Sequence, residues 1–239
     1  MKFSKFALAA MAVMSMAGVA HADVVPGVKL TGDVHAATDY NFRGMSLSGN
    51  NPTLGFNVTA THETGLFASL DENTVNVSGI NGVHQYLSNI TVGYNTEVGP
   101  GIKLGGGVTR YQFNGPNSAA DMTFNEVYAH AGWNGIEGAV YRNIGGAKNS
   151  PAAFAHGDTY ASLGYTYNID KFSLGGDVGY YWYDNDAAHN GVSLAQLRAG
   201  YKVNDNFSVG VAYQVDGHDA ADKAQDRNHE ARVNVGYSF

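Results

Sequence analysis

The sequence predicts an all-β chain whose strands close into an antiparallel transmembrane barrel, and three observations carry the prediction. The first is strict alternation: in the last segment Ala231, Val233, Val235, Tyr237 and Phe239 share one face, while Glu230, Arg232, Asn234, Gly236 and Ser238 share the other, the period of two of a strand with unlike faces. The second is punctuation, since short and long connections alternate along the whole chain. The third is polarity: the non-apolar face carries Asp33, Asp39, Glu126, Asp177, Arg198, Lys202, Glu230 and Arg232, too many charges for a dry interior. An even number of strands, tight turns at one end and long polar loops at the other is the pattern of bacterial outer-membrane barrels.

Residues 1–22 come first and are an address. Lys2 and Lys5 precede an uncharged run from Phe6 to Ala20, and Ala20-His21-Ala22 places small residues where a signal peptidase cuts. The run is shorter than the roughly 20 residues that a spanning helix needs. The barrel is then expected over residues 23–239, in the outer membrane and in contact with its lipid.

Twelve strand signals follow, near 30–43, 53–62, 65–73, 88–97, 102–113, 122–133, 135–143, 158–169, 172–184, 192–203, 206–216 and 229–239. Strand one places Asp33, His35, Asp39 and Arg43 on its polar face. Asp71 and Glu72 interrupt the apolar face of strand three, and strands one and five change phase near their ends, which reads as bulges. Ile90, Val92 and Tyr94 alternate with polar neighbours, as do Phe207, Val209, Val211, Tyr213 and Val215. The short connections are 62–65, 96–101, 134–135, 170–171 and 204–205; the long ones are 44–52, 73–87, 114–121, 144–157, 184–191 and 217–228. A soluble sandwich has the same period. Its strands recur every 8 to 12 residues or so, whereas these recur about every eighteen. Aromatic residues also gather at strand ends, as Tyr40 and Phe42, Trp133, Tyr180 and Trp182, Tyr237 and Phe239, where interfacial girdles belong.

Composition excludes other classes. The chain holds 31 Gly, 15 Tyr, 11 Phe and no Cys, with 44% apolar residues, so neither disorder nor a disulfide scaffold fits. A net charge of −7 gives no basic footprint for nucleic acid.

The run Thr38-Asp39-Tyr40-Asn41-Phe42-Arg43-Gly44-Met45-Ser46, followed by Asn51-Pro52, resembles the opening of the TorF-type porin family. His62-Glu63-Thr64-Gly65-Leu66-Phe67-Ala68 is similar to that family's second turn, and Val92-Gly93-Tyr94, Gly105 to Tyr111 and Asn125-Glu126-Val127-Tyr128 follow in its order. The chain departs from the family at Asp71-Glu72-Asn73, where small and aromatic residues are usual. The resemblance implies a barrel fold and an outer-membrane location rather than a particular solute.

Candidate pore-lining residues are Asp33, His35, Asp39, Arg43, Glu126, His130, Asp177, Arg198, Lys202, Glu230 and Arg232. Arg43 is expected in a structural ion pair rather than in a substrate clamp. His35, Ser46, Asp39 and His130 are the residues from which a rim catalytic site would have to be built; no catalytic residue is assigned, and the expectation is a non-enzyme. The cluster His218, Asp219, Asp222, Asp226, His229 and Glu230 has no fixed ligand spacing, so neither a metal nor a cofactor is expected. Gly105-Gly106-Gly107 lacks the Lys-Ser/Thr of a phosphate loop.

The expected function is passive diffusion of small polar solutes. On the expected luminal face Asp33, Asp39, Glu97, Glu126, Glu137, Asp158, Asp177, Asp216 and Glu230 outnumber Arg43, Lys103, Arg198, Lys202 and Arg232, which predicts a modest preference for cations. The alternative is a non-conducting structural or adhesive barrel plugged by its own side chains, since twelve strands fall between a filled and an open lumen. The terminal Phe239 resembles the signal read by the barrel assembly machinery.

Overall fold

A sheet in hydrocarbon cannot leave an edge unpaired, and this one has none. In the computed structural model, which describes residues 25–76, 85–115, 123–146, 154–184, 189–216 and 229–239, the first wall strand β1 (Val28–Ala37) pairs antiparallel with β4 (Thr53–His62) on one side and with β14 (Glu230–Ser238) on the other. Between them run β5 (Leu66–Val75), β6 (Gln85–Val98), β7 (Ile102–Asn114), β8 (Phe124–Trp133), β9 (Ile136–Gly146), β10 (Thr159–Ile169), β11 (Phe172–Trp182), β12 (Gly191–Lys202) and β13 (Phe207–Asp216). Each pairs with its sequence neighbour, giving a closed twelve-stranded antiparallel barrel. The terminal residue takes part in closure: Gly32 donates its N–H to the Phe239 carbonyl at 3.1 Å, and Phe239 donates back to Gly32 at 2.9 Å. A separate two-stranded hairpin, β2 (Asn41–Phe42) with β3 (Met45–Ser46), is not part of the wall.

The end carrying the short turns is termed inner and the other outer. At the inner end Asn134 (φ 50°) and Gly135 (φ 86°) make a two-residue turn of the mirror-image kind whose twist matches that of the strands. Side chains are arranged inside out. Leu163 and Leu197 are 56% and 61% exposed on the outer surface, while Gln214, Asn73 and Asn143 are buried within. A soluble protein rarely exposes a contiguous apolar surface of this extent; here it forms a belt suited to lipid.

Three expectations are corrected. Strand one ends at Ala37, not 43, so Asp39 and Arg43 lie beyond the wall, and Tyr40 and Phe42 are not girdle residues. The phase change in strand five is no bulge, because β6 and β7 pair without a shift from Tyr86↔Asn114 to Val98↔Ile102. Tyr111 and Phe113 are apolar on the luminal face because something apolar packs there. Asp71 belongs to the luminal row, opposite Asn57 and Asn89, and Glu72 points outward. The expected signal peptide, and His218 to Asp226 of the acidic cluster, lie outside the described residues.

Candidate functional site: a hairpin across the lumen

After Ala37 the chain turns inward, and its pattern says why. Tyr40, Phe42, Met45 and Leu47 are apolar residues with no place in a wall strand. At the outer end of the lumen they meet Val75, Leu87, Tyr111, Phe113, Phe124 and Phe154, which together with Leu47 form a buried cluster. Tyr111 and Phe124 stack at 4.4 Å between centroids and Phe124 and Phe154 at 4.7 Å, while Phe42 meets Tyr111 edge-on at 5.6 Å. Burying an apolar side chain of this size contributes about 1.5–3 kcal/mol, so the cluster is enough to draw the segment inside.

The hairpin base is organised by Asp39. Its Oδ1 accepts from the Ser46 hydroxyl, from the Ser48 hydroxyl at 2.6 Å and from the Asn50 N–H at 3.2 Å. Burial pushes the Tyr40 phenol above its ordinary pKa, so it stays neutral. The Leu47 carbonyl accepts from the Asn76 N–H at 2.7 Å. At the tip, Arg43 (φ 56°) and Gly44 (φ 97°) form another mirror-image turn, with the Gly44 N–H bonded to Asn41 Oδ1 at 2.9 Å. A non-glycine residue in this conformation costs on the order of 1 kcal/mol. Gly44 has no alternative, since a Cβ there would lie 1.7 Å from the Ser193 carbonyl oxygen.

The strained Arg43 makes the longest reach. Its guanidinium binds Glu126 of β8 through two bonds of 2.8 and 2.6 Å and donates to the Tyr181 hydroxyl of β11 at 3.1 Å. It lies 4.4 Å from the Tyr141 ring centre, 4.6 Å from Tyr160 and 4.7 Å from Phe42. The two charged side chains are 8% and 5% exposed, and a pair so buried depends on geometry of this quality. Three rings of the cradle form one register row, Tyr141↔Tyr160↔Tyr181, which Tyr128 continues on β8. On the far side Asn41 donates to Gln214 Oε1 at 3.1 Å. The hairpin thus crosses from β1 to β8, β11 and β13 and occupies the outer half of the lumen.

Around it the wall has two characters. From β5 to β8 the outer end carries the apolar cluster of Val75, Leu87, Tyr111, Phe113 and Phe124. From β11 to β14 a ladder of polar contacts descends: Glu230 to Arg232 at 3.5 Å, Arg232 to Gln214 at 2.9 Å and to Gln196 at 2.6 Å, Gln196 to Asp177 at 3.0 Å, and Asp177 to Arg198 through paired bonds. Below it a cavity of about 310 Å³ is lined by His130, Glu137, Tyr141, Ser162, Asp177 and Arg198. Gly164 and Gly175 stand opposite Asp177 and Arg198 in their register rows, and Gly200 stands opposite Ser173, so the polar side chains of this inner half lie over glycine.

The candidate residues therefore fall into separate groups. Arg43 meets Glu126, Asp177 meets Arg198, and Glu230 meets Arg232. Asp33 binds His35 at 2.8 Å, and His35 reaches Asn73 at 2.8 Å. His130 contacts Asn95 at 2.9 Å, and Lys202 stands at the inner mouth. His35, Ser46, Asp39 and His130 are not brought together, because Ser46 and Asp39 bond each other in the hairpin while the histidines take other partners. Among the described residues no group of three His, Cys, Asp or Glu side chains could hold a metal. Sequence reasoning missed Asp71, whose carboxylate accepts from Asn73 and Asn89 at 2.8 and 2.9 Å, together with Gln196, Gln214 and the tyrosine row. The available signal was parity along each strand, which Gln196 shares with Arg198, Tyr128 with Glu126 and Tyr181 with Asp177.

Barrel and luminal hairpin define the class: a closed antiparallel β-barrel with the fold of outer-membrane porins. The KdgM porin is similar, with a TM-score of 0.55 and 12% identity over 87% of this chain and 99% of that one. So is the NanC porin, with 0.55 and 13% over 87% and 98%. Outer membrane phospholipase A from Escherichia coli matches with a TM-score of 0.52 and 13% identity over 94% and 96%. No curated protein matches in sequence. Residues 21–236 match the Gcw_chp family, described as bacterial proteins of unknown function, and the chain belongs to it.

Proposed function

We propose that this protein is a diffusion channel for small polar solutes in the bacterial outer membrane, with the passage running down the polar β11–β14 wall beside the hairpin. The ladder from Glu230 to Arg198 carries this reading, since a solute can exchange hydrogen bonds along it while the opposite wall is sealed by the apolar cluster. The likeness to KdgM and NanC supports the fold on which the reading rests, and the resemblance to TorF-type porins agrees with it. Export through residues 1–22 and delivery by the barrel assembly machinery through the Phe239 strand belong to the same reading.

Modest cation preference is part of the proposal. The luminal arginines Arg43, Arg198 and Arg232 are all paired with carboxylates. Lys29, Lys103 and Lys202 lie within one residue of the inner ends of β1, β7 and β12, at the mouth, where solvent screens them. Asp33 and Asp71 lie midway along β1 and β5, with neither Arg nor Lys in ion-pair contact among the described residues. The mid-lumen is therefore acidic, and a narrow low-dielectric passage concentrates the counter-ion.

A second reading is favoured by the Arg43–Glu126 pair, which would suit a permanent plug in a structural barrel. Planar-bilayer recording separates the two. Stepwise openings whose reversal potential in a salt gradient has the cation-selective sign support the channel. A membrane that stays silent at high protein dose favours the plug, and an anion-selective sign removes the charge argument.

A further inference from the structure

Between the luminal hairpin and the inner mouth, charged side chains of β9, β11 and β12 converge on β10. Gly164 of β10 pairs with Glu137 of β9 on one side and with Asp177 of β11 on the other. With no side chain at Gly164, Asp177 can lie across that strand: a Cβ there would stand 2.5 Å from Asp177 Oδ1. Gly175 does the same for Arg198, whose Nη2 would stand 3.3 Å from a Cβ at that position. The guanidinium therefore reaches from β12 over β11 to β10, where Nη2 donates to the Thr166 hydroxyl at 3.3 Å. Thr166 and Glu137 are diagonal neighbours on β10 and β9, a backbone separation of about 7–8 Å in an antiparallel pair. A guanidinium and a carboxylate thus line the same cavity of about 310 Å³.

Both groups keep bonding capacity for a third party. Arg198 binds Asp177 through Nε and through Nη2 at 2.8 Å. Its Nη1 has no partner among the described residues, and the side chain is 39% exposed. Thr166 accepts from Arg198, so its own hydroxyl proton remains to be donated. Glu137 is exposed on the luminal face and takes part in no hydrogen bond or ion pair among the described residues. The Asp177 carboxylate, by contrast, is occupied by Arg198 and by Gln196 at 3.0 Å.

We propose, resting on the reading of the lumen as a solute path, that this cavity binds a small amino acid in its zwitterionic form. Its ammonium sits at Glu137, and its carboxylate accepts from Arg198 Nη1 and the Thr166 hydroxyl. Both contacts are charge-assisted. A solute with a single charge satisfies one of the two groups and is opposed by the other, so the site selects by repulsion as well as by attraction. Its volume falls at the lower end of the range of about 300–1,000 Å³ for ligand pockets, which suits a small solute. The cavity also lies at the foot of the polar ladder from Glu230 to Arg198, where a solute that has passed the hairpin arrives.

Titration calorimetry on the full mature barrel in detergent tests this without requiring conductance. L-Alanine and γ-aminobutyrate serve as zwitterions, with propionate and ethylamine as single-charge controls. At least one zwitterion is expected to bind roughly tenfold or more tightly than either control. Glu137→Gln should lower that affinity roughly tenfold or more, and Thr166→Val should lower it as well. Glu97→Gln, which removes an equal charge at the inner end of β6, should leave it unchanged. Heat-modifiable gel mobility identifies the folded variants; if one cavity variant does not fold, the other carries the test. Equal binding of zwitterions and controls, no binding at all, unchanged affinity in the cavity variants, or an equal loss in Glu97→Gln would each overturn the inference. Planar-bilayer recording keeps the two readings apart. A conducting barrel that binds neither zwitterion removes the site and leaves the channel, whereas a silent barrel that binds one as expected removes the channel and leaves the site.

Discussion

Replacing Glu126 by Gln is the sharpest probe of the luminal hairpin, because it keeps the shape of the side chain and removes only its charge. Arg43 would then remain in its tyrosine cradle without a counter-ion. Stranding one member of a pair this buried costs about 3–5 kcal/mol, and tenfold in an equilibrium constant is about 1.4 kcal/mol. The ratio of docked to undocked hairpin should therefore fall by roughly two to three and a half orders of magnitude. Phe42, Met45 and Leu47 oppose release, since burying each contributes about 1.5–3 kcal/mol. The expected phenotype is thus intermittent undocking, seen as enlarged and noisier single-channel steps in planar bilayers. The wall should be unaffected, because the backbone ladder through Glu126 does not use its side chain. Removing both charges should be milder: Arg43→Met with Glu126→Leu should return conductance toward wild type, as apolar replacement of a buried pair is often neutral. If E126Q conducts like wild type while deletion of residues 40–47 does not, the ion pair does not hold the hairpin and the argument from burial is wrong.

Other substitutions probe separate parts of the fold. Gly44→Ala should undock the hairpin tip even with the ion pair intact, since the added methyl would overlap the Ser193 carbonyl and the backbone needs positive φ; unchanged noise in bilayer recordings would count against this. The closed ladder predicts that unheated protein runs faster on SDS gels than boiled protein, and identical mobility would contradict closure. Deleting Tyr237 to Phe239 removes the two Gly32–Phe239 bonds and the Asp33↔Ser238 and Val34↔Tyr237 pairs. That truncation should be degraded or aggregate before insertion, and a normal outer-membrane yield would show the terminal signal misread. Asp71→Asn should shift the reversal potential toward zero selectivity while leaving the hydrogen bonds from Asn73 and Asn89 available; no shift would place the ion path elsewhere.

Much of the wall was legible because a strand in a membrane obeys a local rule. Period two assigns a face to every residue, and the alternation of short and long connections assigns an end to every turn, so strand number, closure and the luminal parity of Asp33, Glu126, Asp177, Arg198 and Arg232 follow without tertiary information. The same rule misled where the chain obeyed another. Asp39 and Arg43 keep the parity of strand one, yet they belong to a hairpin whose turn at Arg43-Gly44 needs positive φ at both residues. The phase change at Tyr111 and Phe113 was visible as an irregularity, but its cause, an apolar partner arriving from residues 40–47, is a contact across the lumen.

By itself, then, the sequence determined a twelve-stranded closed barrel with an apolar exterior and a charged interior, because each of these is a property of single strands and of the turns between neighbours. Only the tertiary structure decided that the first long connection folds inward, that Arg43 pairs with Glu126 rather than with a carboxylate on its own strand, that Asp71 faces the lumen, and that β1 leaves the wall at Ala37. These depend on which residues meet across the width of the barrel, between positions as far apart as the 173 residues from Asn41 to Gln214. No local periodicity encodes such a meeting; it is selected by the shape and charge of a lumen that exists only once the barrel has closed.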